Sequence, residues 1–547
     1  MTARPRYREP AAAPRARLFA LVSLATFAAL AGAASGADLD TSSRRPQRSE
    51  TVMTTRTAVR LNVLDFGAVG DGATPCTEAF RAAFDAAAAA GGGTVYVPAG
   101  RYLTGAITLR SDTALYIDAG ATLIGGNETS DFPPIDNHSL YEWGTTHSPL
   151  IGGQDLRNIA VLGRGTVDGN GQLWWERKRA DLLEHARPRL IRFTDCENVL
   201  VEGVTLTNSP SWTVHPVRCN NVAVENITII NPTGSPNTDG INPESCRNVR
   251  ISGCHIDVGD DCIAIKAGTE HDGRDPARAC ENITVTGCTM IHGHGGVVIG
   301  SEMSSGVRNV AISNCVFDGT DRGIRIKSRR GRGGAVEDVR ACNIIMRRVR
   351  CPFVMNLYYH CGPGGRDEDV QDKSPRPVDE GTPLFRRIHF SDITATDVEL
   401  AAGFIHGLPE MPVRDITFDN VEVVLSERDV TPGAPAMAGQ VEPMAKAGFF
   451  CRYAENVSFR NVRVTGQRGA ALDISHSRSI EVSGLDTPTP PERAAIHLEH
   501  VENAFIHGCR APSGTNTFLR LVDCPFEAIS LIGNDLSAAE SPLGGNE

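Results

Sequence analysis

The stretch "CENVLVEGVTLTNS" (196–209) decides the fold, because its pattern returns at "CNNVAVENITIINP" (219–232), "CRNVRISGCHIDVG" (246–259), "CENITVTGCTMIHG" (280–293) and "VRNVAISNCVFDGT" (307–320). An earlier copy reads "LRNIAVLGRGTVDG" (156–169), and weaker ones occupy 385–398, 413–426 and 454–467. Most copies carry an Asn or Asp, two alternating apolar residues, a Gly, Asn or Asp turn, and two more alternating apolar positions. Period-two alternation is the signature of a strand, and the Gly, Asn and Asp punctuation marks turns. Each copy is therefore a two-strand unit. The spacing varies over about 23 to 34 residues among the best copies, as expected for coils of a parallel β-solenoid whose loops differ in length on one side. Coils stacked at about 4.8 Å turn equivalent positions into columns. Cys196, Cys219, Cys246 and Cys280 form one column, and Cys254, Cys288 and Cys315 another. Small apolar side chains suit a narrow interior, so buried free thiols are expected rather than a disulfide framework. There is no CxxC pair for a zinc site.

Around this core, residues 77–90 have helical spacing and strong helix formers stopped by Gly91, Gly92 and Gly93, which predicts one short N-terminal helix before the β region. The fold class is all-β, with a solenoid over 61–537. Five arginines precede an apolar, Ala-rich run ending in "AGAASGA" (31–37), the pattern of a cleaved export signal. Residues 1–37 are read as that signal, 38–60 as a flexible linker, 428–448 as a long loop and 538–547 as a frayed tail. A secreted or periplasmic monomer with no membrane span is expected. The 54 Lys and Arg against 65 Asp and Glu give a formal charge of −11, which argues against a general nucleic-acid binder. An anionic partner must be met by a local cluster of cations.

The stretches between copies supply that cluster and more: "NTDG" (237–240), "GDD" (259–261), "HGHGG" (292–296) and "RGIRIKS" (322–328). They recur about one coil apart, so stacking predicts one outer stripe holding Asp239, Asp260 and Asp261, then His294, then Arg325 and Lys327. A lone Asp in a turn is ordinarily a turn former; four unusual stretches at coil spacing are not explained that way. Paired carboxylates suit glycosidic cleavage, one acid protonating the departing oxygen and another activating water. Inversion calls for carboxyls about 6.5–9.5 Å apart, which a lateral offset between coils could give. Crowding should raise at least one of the three pKa values.

Together, "NTDG", "DD", "GHG" and "RIK", in this order on a repetitive β chain, resemble the hallmark motifs of the polygalacturonases, family 28 of the glycoside hydrolases. The resemblance runs from "DFGAVGDG" (65–72) to about 421. It implies a single-stranded right-handed parallel β-helix and metal-independent, inverting hydrolysis of α-1,4-linked galacturonan in pectin, without a cofactor or metal. It also implies Asp260 as general acid, Asp239 and Asp261 as the pair holding the attacking water, His294 as assistant to the acid, and Arg325 and Lys327 as binders of the galacturonate carboxylate. Tyr358, preferred to Tyr359, is expected near these cations, with Trp212 and His215 of "SPSWTVHP" (209–216) as sugar contacts and "YEWGTTH" (141–147) walling one end of the cleft. Arg329, Arg330 and Arg332 are read as a partly solvated loop outside the site. Glu302 is balanced between substrate contact and structural duty, and Lys266 has no assigned role. The long 126–150 loop and "GSEMSSGVRN" resemble bacterial exo-acting members, which release sugars from the non-reducing end. The alternatives are a hydrolase of rhamnogalacturonan or another uronide, a calcium-dependent pectate lyase on a similar solenoid, and a non-catalytic carbohydrate-binding solenoid.

Overall fold

The computed structural model describes residues 59–136, 144–489 and 493–544. The export signal and nearly all of the expected linker lie outside them. Val59 and Arg60, placed in the linker by sequence, instead begin a strand, Val59–Asn62, that pairs in parallel with Gly93–Val97.

The repeat is a coil of a parallel β-helix. Strands Glu197–Glu202, Asn220–Glu225, Arg247–Ser252, Cys280–Thr286 and Val307–Asp318 pair in parallel, each with the next, and Val199, Val222, Val249, Ile283 and Val310 fall in one register column. All five are buried, whereas Arg250, Thr284 and Ala311 on the opposite face are exposed. A second ladder stacks Thr205–Thr207, Thr228–Ile230, His255–Val258 and Thr289–His292. The third runs through Ile191–Thr194, Val214–Val217, Asp261–Ile265, Gly295–Ile299, Arg322–Lys327, Cys351–Asn356, Ala401–His406 and Ala447–Arg452. Between Val217 and Asp261 one coil joins it only through bridges at Ile241 and Glu244.

The repeated Asn has a backbone reason. Asn198, Asn221, Asn248, Asn282 and Asn309 all sit at φ of +56 to +60°, the left-handed region that Asn tolerates better than other side chains. Their amides also link coils. Asn198 donates to Asn158 (2.8 Å), Asn221 to Asn198 (2.7 Å), Asn282 to Asn248 (3.0 Å) and Asn309 to Asn282 (3.0 Å). Asn221→Ala therefore loses both the conformational fit, worth about 1–2 kcal/mol, and a hydrogen bond worth about 1 kcal/mol. Urea unfolding is expected to show it less stable than Asn221→Gly, which keeps the backbone fit.

All fifteen cysteines are free thiols, thirteen of them buried, as the column argument expects. In the downstream coils the interior turns aromatic: Phe390, Phe418 and Phe459 stack one rung apart at 5.0 and 5.2 Å. The N-terminal helix spans Thr77–Ala89 and buries Phe80 and Phe84. Two further helices in loops, Gln172–Arg179 and Glu368–Gln371, have no counterpart in the sequence reading. The expected frayed tail is also corrected: Ser541–Gly544 pairs with Thr517–Val522, because the coil before it leaves an open ladder edge for it to join.

Candidate active site

Alternation along "RGIRIK" sorts its side chains. Ile324 and Ile326 enter the core, so Arg325 and Lys327 project from the other face of the same strand. On the preceding coils the chain brings acids to the same ledge. The Gly240 N–H donates to the Asp261 carbonyl (3.0 Å) and Ile241 bridges Ile263, which makes Asp239 and Asp261 neighbours on successive rungs. His294 comes from the next coil: its N–H donates to the Asp260 carbonyl (3.0 Å), and its Nδ1 lies 3.2 Å from Asp260 Oδ1.

One carboxylate oxygen from each of Asp239, Asp260 and Asp261 lies within 4.8 Å of the others. Asp239 and Asp261 stand opposite each other on adjacent rungs, whereas Asp260 and Asp261 are consecutive residues of one rung. Among the described residues this triad is also the one set of ligand atoms close enough to share a metal ion. Asp261 is already neutralised, accepting from Lys327 Nζ (2.8 Å) and Arg325 Nη1 (3.3 Å). Burial opposes its ionisation, but Lys327 and Arg325 outweigh burial and hold its carboxyl well below the usual range. Asp239 behaves oppositely. Burial first, and then the Asp260 charge, push it up to about 7, against the opposing pull of Lys266 and, more weakly, a hydrogen bond from Asn242 (2.8 Å). The hydrogen bond with Asp260 raises the pKa of His294 in spite of partial burial.

The shift of Asp239 makes stability depend on pH. Its folded pKa lies above its unfolded value, so its contribution is present below about pH 4 and lost as pH rises through about 7. Asp239→Asn is expected to flatten that decline, a difference on the order of a few kcal/mol between pH 4 and 7.5 by urea unfolding.

These groups line a cavity of about 190 Å³ together with Trp212, Asn237, Lys266, Ser301, Glu302, Tyr359, Cys361 and Met437. Trp212 has cations against its ring, with Arg189 and Lys266 each 4.6 Å from its centroid. Lys266 Nζ is held by Glu302 (2.8 Å), and both are buried.

The structure moves several residues from their expected places. Tyr358 is fully buried, packed on His406 with Lys373 Nζ 3.2 Å above its ring; adjacent residues face opposite ways, so Tyr359 reaches the cavity, 5.2 Å from Lys327 Nζ and 5.8 Å from Arg325. His215 cannot touch a sugar, because it is wholly buried with Nε2 2.9 Å from Glu244 and its ring supporting Trp212 at 4.7 Å. Arg329, Arg330 and Arg332 are not solvated: Arg329 and Arg332 bind Glu270, and Arg330 binds Glu410. Of the loop at 141–147, Tyr141 to Trp143 lie outside the described residues, and His147 is buried against Trp174 at 4.9 Å. Sequence reasoning left Lys266 and Glu302 unassigned and missed Met437. The alternation in "CIAIKAG", read as in "RIK", places Lys266 on the ledge; nothing local signals Met437.

The family model for glycosyl hydrolases family 28 matches residues 90–432, well over half of the chain. A probable polygalacturonase of Vitis vinifera is 36% identical over 377 residues, covering 67% of this chain and 74% of the relative. An endo-polygalacturonase of Pectobacterium carotovorum is 32% identical, covering 50% and 69%. The exopolygalacturonase of Thermotoga maritima superposes with a TM-score of 0.60 at 30% identity, covering 74% of this chain and 92% of that structure. With a matching model, a matching fold and an acid triad facing a cation pair, the chain belongs to family 28 of the glycosyl hydrolases.

Proposed function

We propose that this enzyme hydrolyses the α-1,4-galacturonosyl linkages of galacturonan. The observation that carries this reading is Arg325 Nη2, which is buried in the cavity without a hydrogen-bond partner, beside Lys327 and Tyr359 and next to the acid triad. A buried unpaired guanidinium donor is costly, and a sugar carboxylate would satisfy it. The matched relatives named as polygalacturonases support the same substrate class.

In this mechanism Asp260 protonates the departing oxygen and His294, with its raised pKa, resupplies the proton. Asp239 and Asp261 hold the attacking water, since oxygens within 4.8 Å can both accept from one molecule at ordinary hydrogen-bond length. Lys327 and Arg325 keep Asp261 ionised, and Asp239, with its pKa pushed up to about 7, becomes the stronger proton acceptor of the pair once ionised. Inversion follows from water being the attacking group. Carboxyl separation distinguishes inverting from retaining enzymes in general, and the stereochemistry of the product is the decisive measurement here. Proton NMR of the first-formed product is expected to show the β anomer; an α anomer would overturn the water-pair assignment.

The cavity of about 190 Å³ falls below the roughly 300–1,000 Å³ of pockets for drug-sized ligands, and Tyr359, Cys361 and Met437 wall it. Such a compact pocket supports action at a chain end, with monomer or dimer as the expected products; a ladder of oligomers would show endo action. Products without an absorbing double bond, formed equally in EDTA, separate hydrolysis from calcium-dependent elimination. Export belongs to the same proposal: pectin lies outside the cell, and no helix among the described residues is long and apolar enough to cross a membrane.

A further inference from the structure

Residues 428–448 form a partition on the third ladder. The segment closes on itself through a bridge between Gly433 and Met444, and on the body through Tyr359 and Ala438. Gln371 clamps it: the side-chain amide donates to the carbonyls of Tyr358 (3.1 Å) and Gly365 (2.8 Å) while its oxygen accepts from the Gly439 N–H (2.9 Å). Met437 faces the acid triad, whereas 440–445 face a second cavity of about 580 Å³ that shares no lining residue with the first. The register column from Lys327 through Asn356 to His406 and Arg452 puts lining residues of the two cavities two and three rungs apart, about 10 and 14 Å.

This second cavity has the chemistry of a saccharide site. Phe450 lies half-buried on its floor, backed by Phe404 in a parallel stack at 5.1 Å. The Arg452 guanidinium lies 4.2 Å over the Phe450 ring, fixed by Asp473 Oδ1 (3.0 Å). His406, 6% exposed, lines the cavity with Nδ1 unpartnered; burial, then Lys373 and Arg452, push its pKa down to about 3, leaving a neutral ring with a vacant hydrogen-bonding atom. Arg468 and Arg493 stand exposed on the rim, and the carboxylate facing Arg468, on Asp429, is 3.9 Å away and fully exposed. Against three arginines the lining carries two acids, Asp473, which Arg452 engages, and Glu442. With Phe404 and Arg452 covering the Phe450 ring, recognition falls to the buried vacant imidazole nitrogen and the exposed cationic forks of Arg468 and Arg493, which suit a sugar that bears a carboxylate.

We propose that this cavity is a second binding site for a uronate-bearing segment of the polymer that the active site cuts. The inference rests on the galacturonan reading above. A chain held there is tethered near the catalytic cavity, which raises its effective concentration without adding catalytic contacts.

The test uses the full chain carrying Asp260→Asn, so that oligogalacturonate stays intact. Equilibrium titration with a pentamer is expected to give two binding equivalents, and one after Arg468→Ala and Arg493→Ala are added. In the active enzyme the same pair should raise KM on long galacturonan roughly tenfold and leave kcat and the turnover of digalacturonate unchanged. Both arginines are exposed, and an unchanged thermal midpoint verifies the fold; Arg468→Glu with Arg493→Glu should deepen the loss. A single equivalent with Asp260→Asn alone, two equivalents surviving both arginine substitutions, or equal second-site binding of a fully methyl-esterified oligomer would each overturn the proposal. If the unsubstituted enzyme cleaves no galacturonan, the substrate reading fails and this inference falls with it. If cleavage is normal and the stoichiometry is one, only the second site is refuted.

Discussion

Asp260→Asn is expected to lower turnover of galacturonan by about 10²–10⁴-fold while leaving the fold intact, the range by which a positioned proton donor accelerates a reaction. The amide keeps the volume of the acid and can still accept from the Asp261 N–H, which now bonds Asp260 Oδ1 at 2.9 Å. It can neither deliver a proton nor accept one from His294. The loss should appear in kcat more than in KM, because the proton moves only as the bond breaks. A second signature separates this from a packing defect. The raised pKa of His294 depends first on its bond to Asp260, so an NMR titration of His294 in the variant should show its pKa lower than in the parent. Full turnover in Asp260→Asn would move the acid role to another member of the triad.

Lys327→Met is the second large effect, and it acts on stability as well as binding. Lys327 and Asp261 form a 2.8 Å pair with almost no solvent exposure. Removing one member of such a pair strands the other charge, at a cost of about 3–5 kcal/mol; Arg325, 3.3 Å from the same carboxylate, should keep the loss toward the lower end. The sign with pH follows from the depressed pKa of Asp261. Its stabilising contribution is present above the unfolded value and lost as pH falls through the folded one. The variant should therefore be most destabilised near neutrality and approach the parent in strong acid. Adding Asp261→Asn should restore part of the stability, because no charge is then stranded, without restoring activity. Urea unfolding across pH and steady-state kinetics on galacturonan measure the two halves of the prediction.

How far the molecule could be read from its sequence depended on the range of the interactions involved. The coil was legible because both of its determinants are local: alternation sends Val199 and Val201 inward, and Asn198 takes a backbone conformation few other residues accept. The stripe of Asp239, Asp260, Asp261, His294, Arg325 and Lys327 was legible because stacking converts coil-length spacing into proximity. What failed depended on partners far along the chain. His215 looked available until Glu244, 29 residues on, captured its ring nitrogen. Arg329, Arg330 and Arg332 looked like a solvated run, but Glu270 and Glu410, 59 to 80 residues away, draw them inside. The doublet at Tyr358 and Tyr359 offered two equal candidates, since only the phase of the chain leaving Cys351–Asn356 decides which ring turns inward.

The ladder also determines where this molecule tolerates growth. Each rung hydrogen-bonds to its neighbours through the backbone ladder and a repeating Asn side chain, so a duplicated turn of the coil could be spliced in upstream of Ile191 or downstream of His507 and merely lengthen the rod. The same splice between Ile265 and Gly295 would carry His294, Arg325 and Lys327 one step, about 4.8 Å, away from the acids. A stacked scaffold thus allows extension at its ends while locking the number of repeats across its middle.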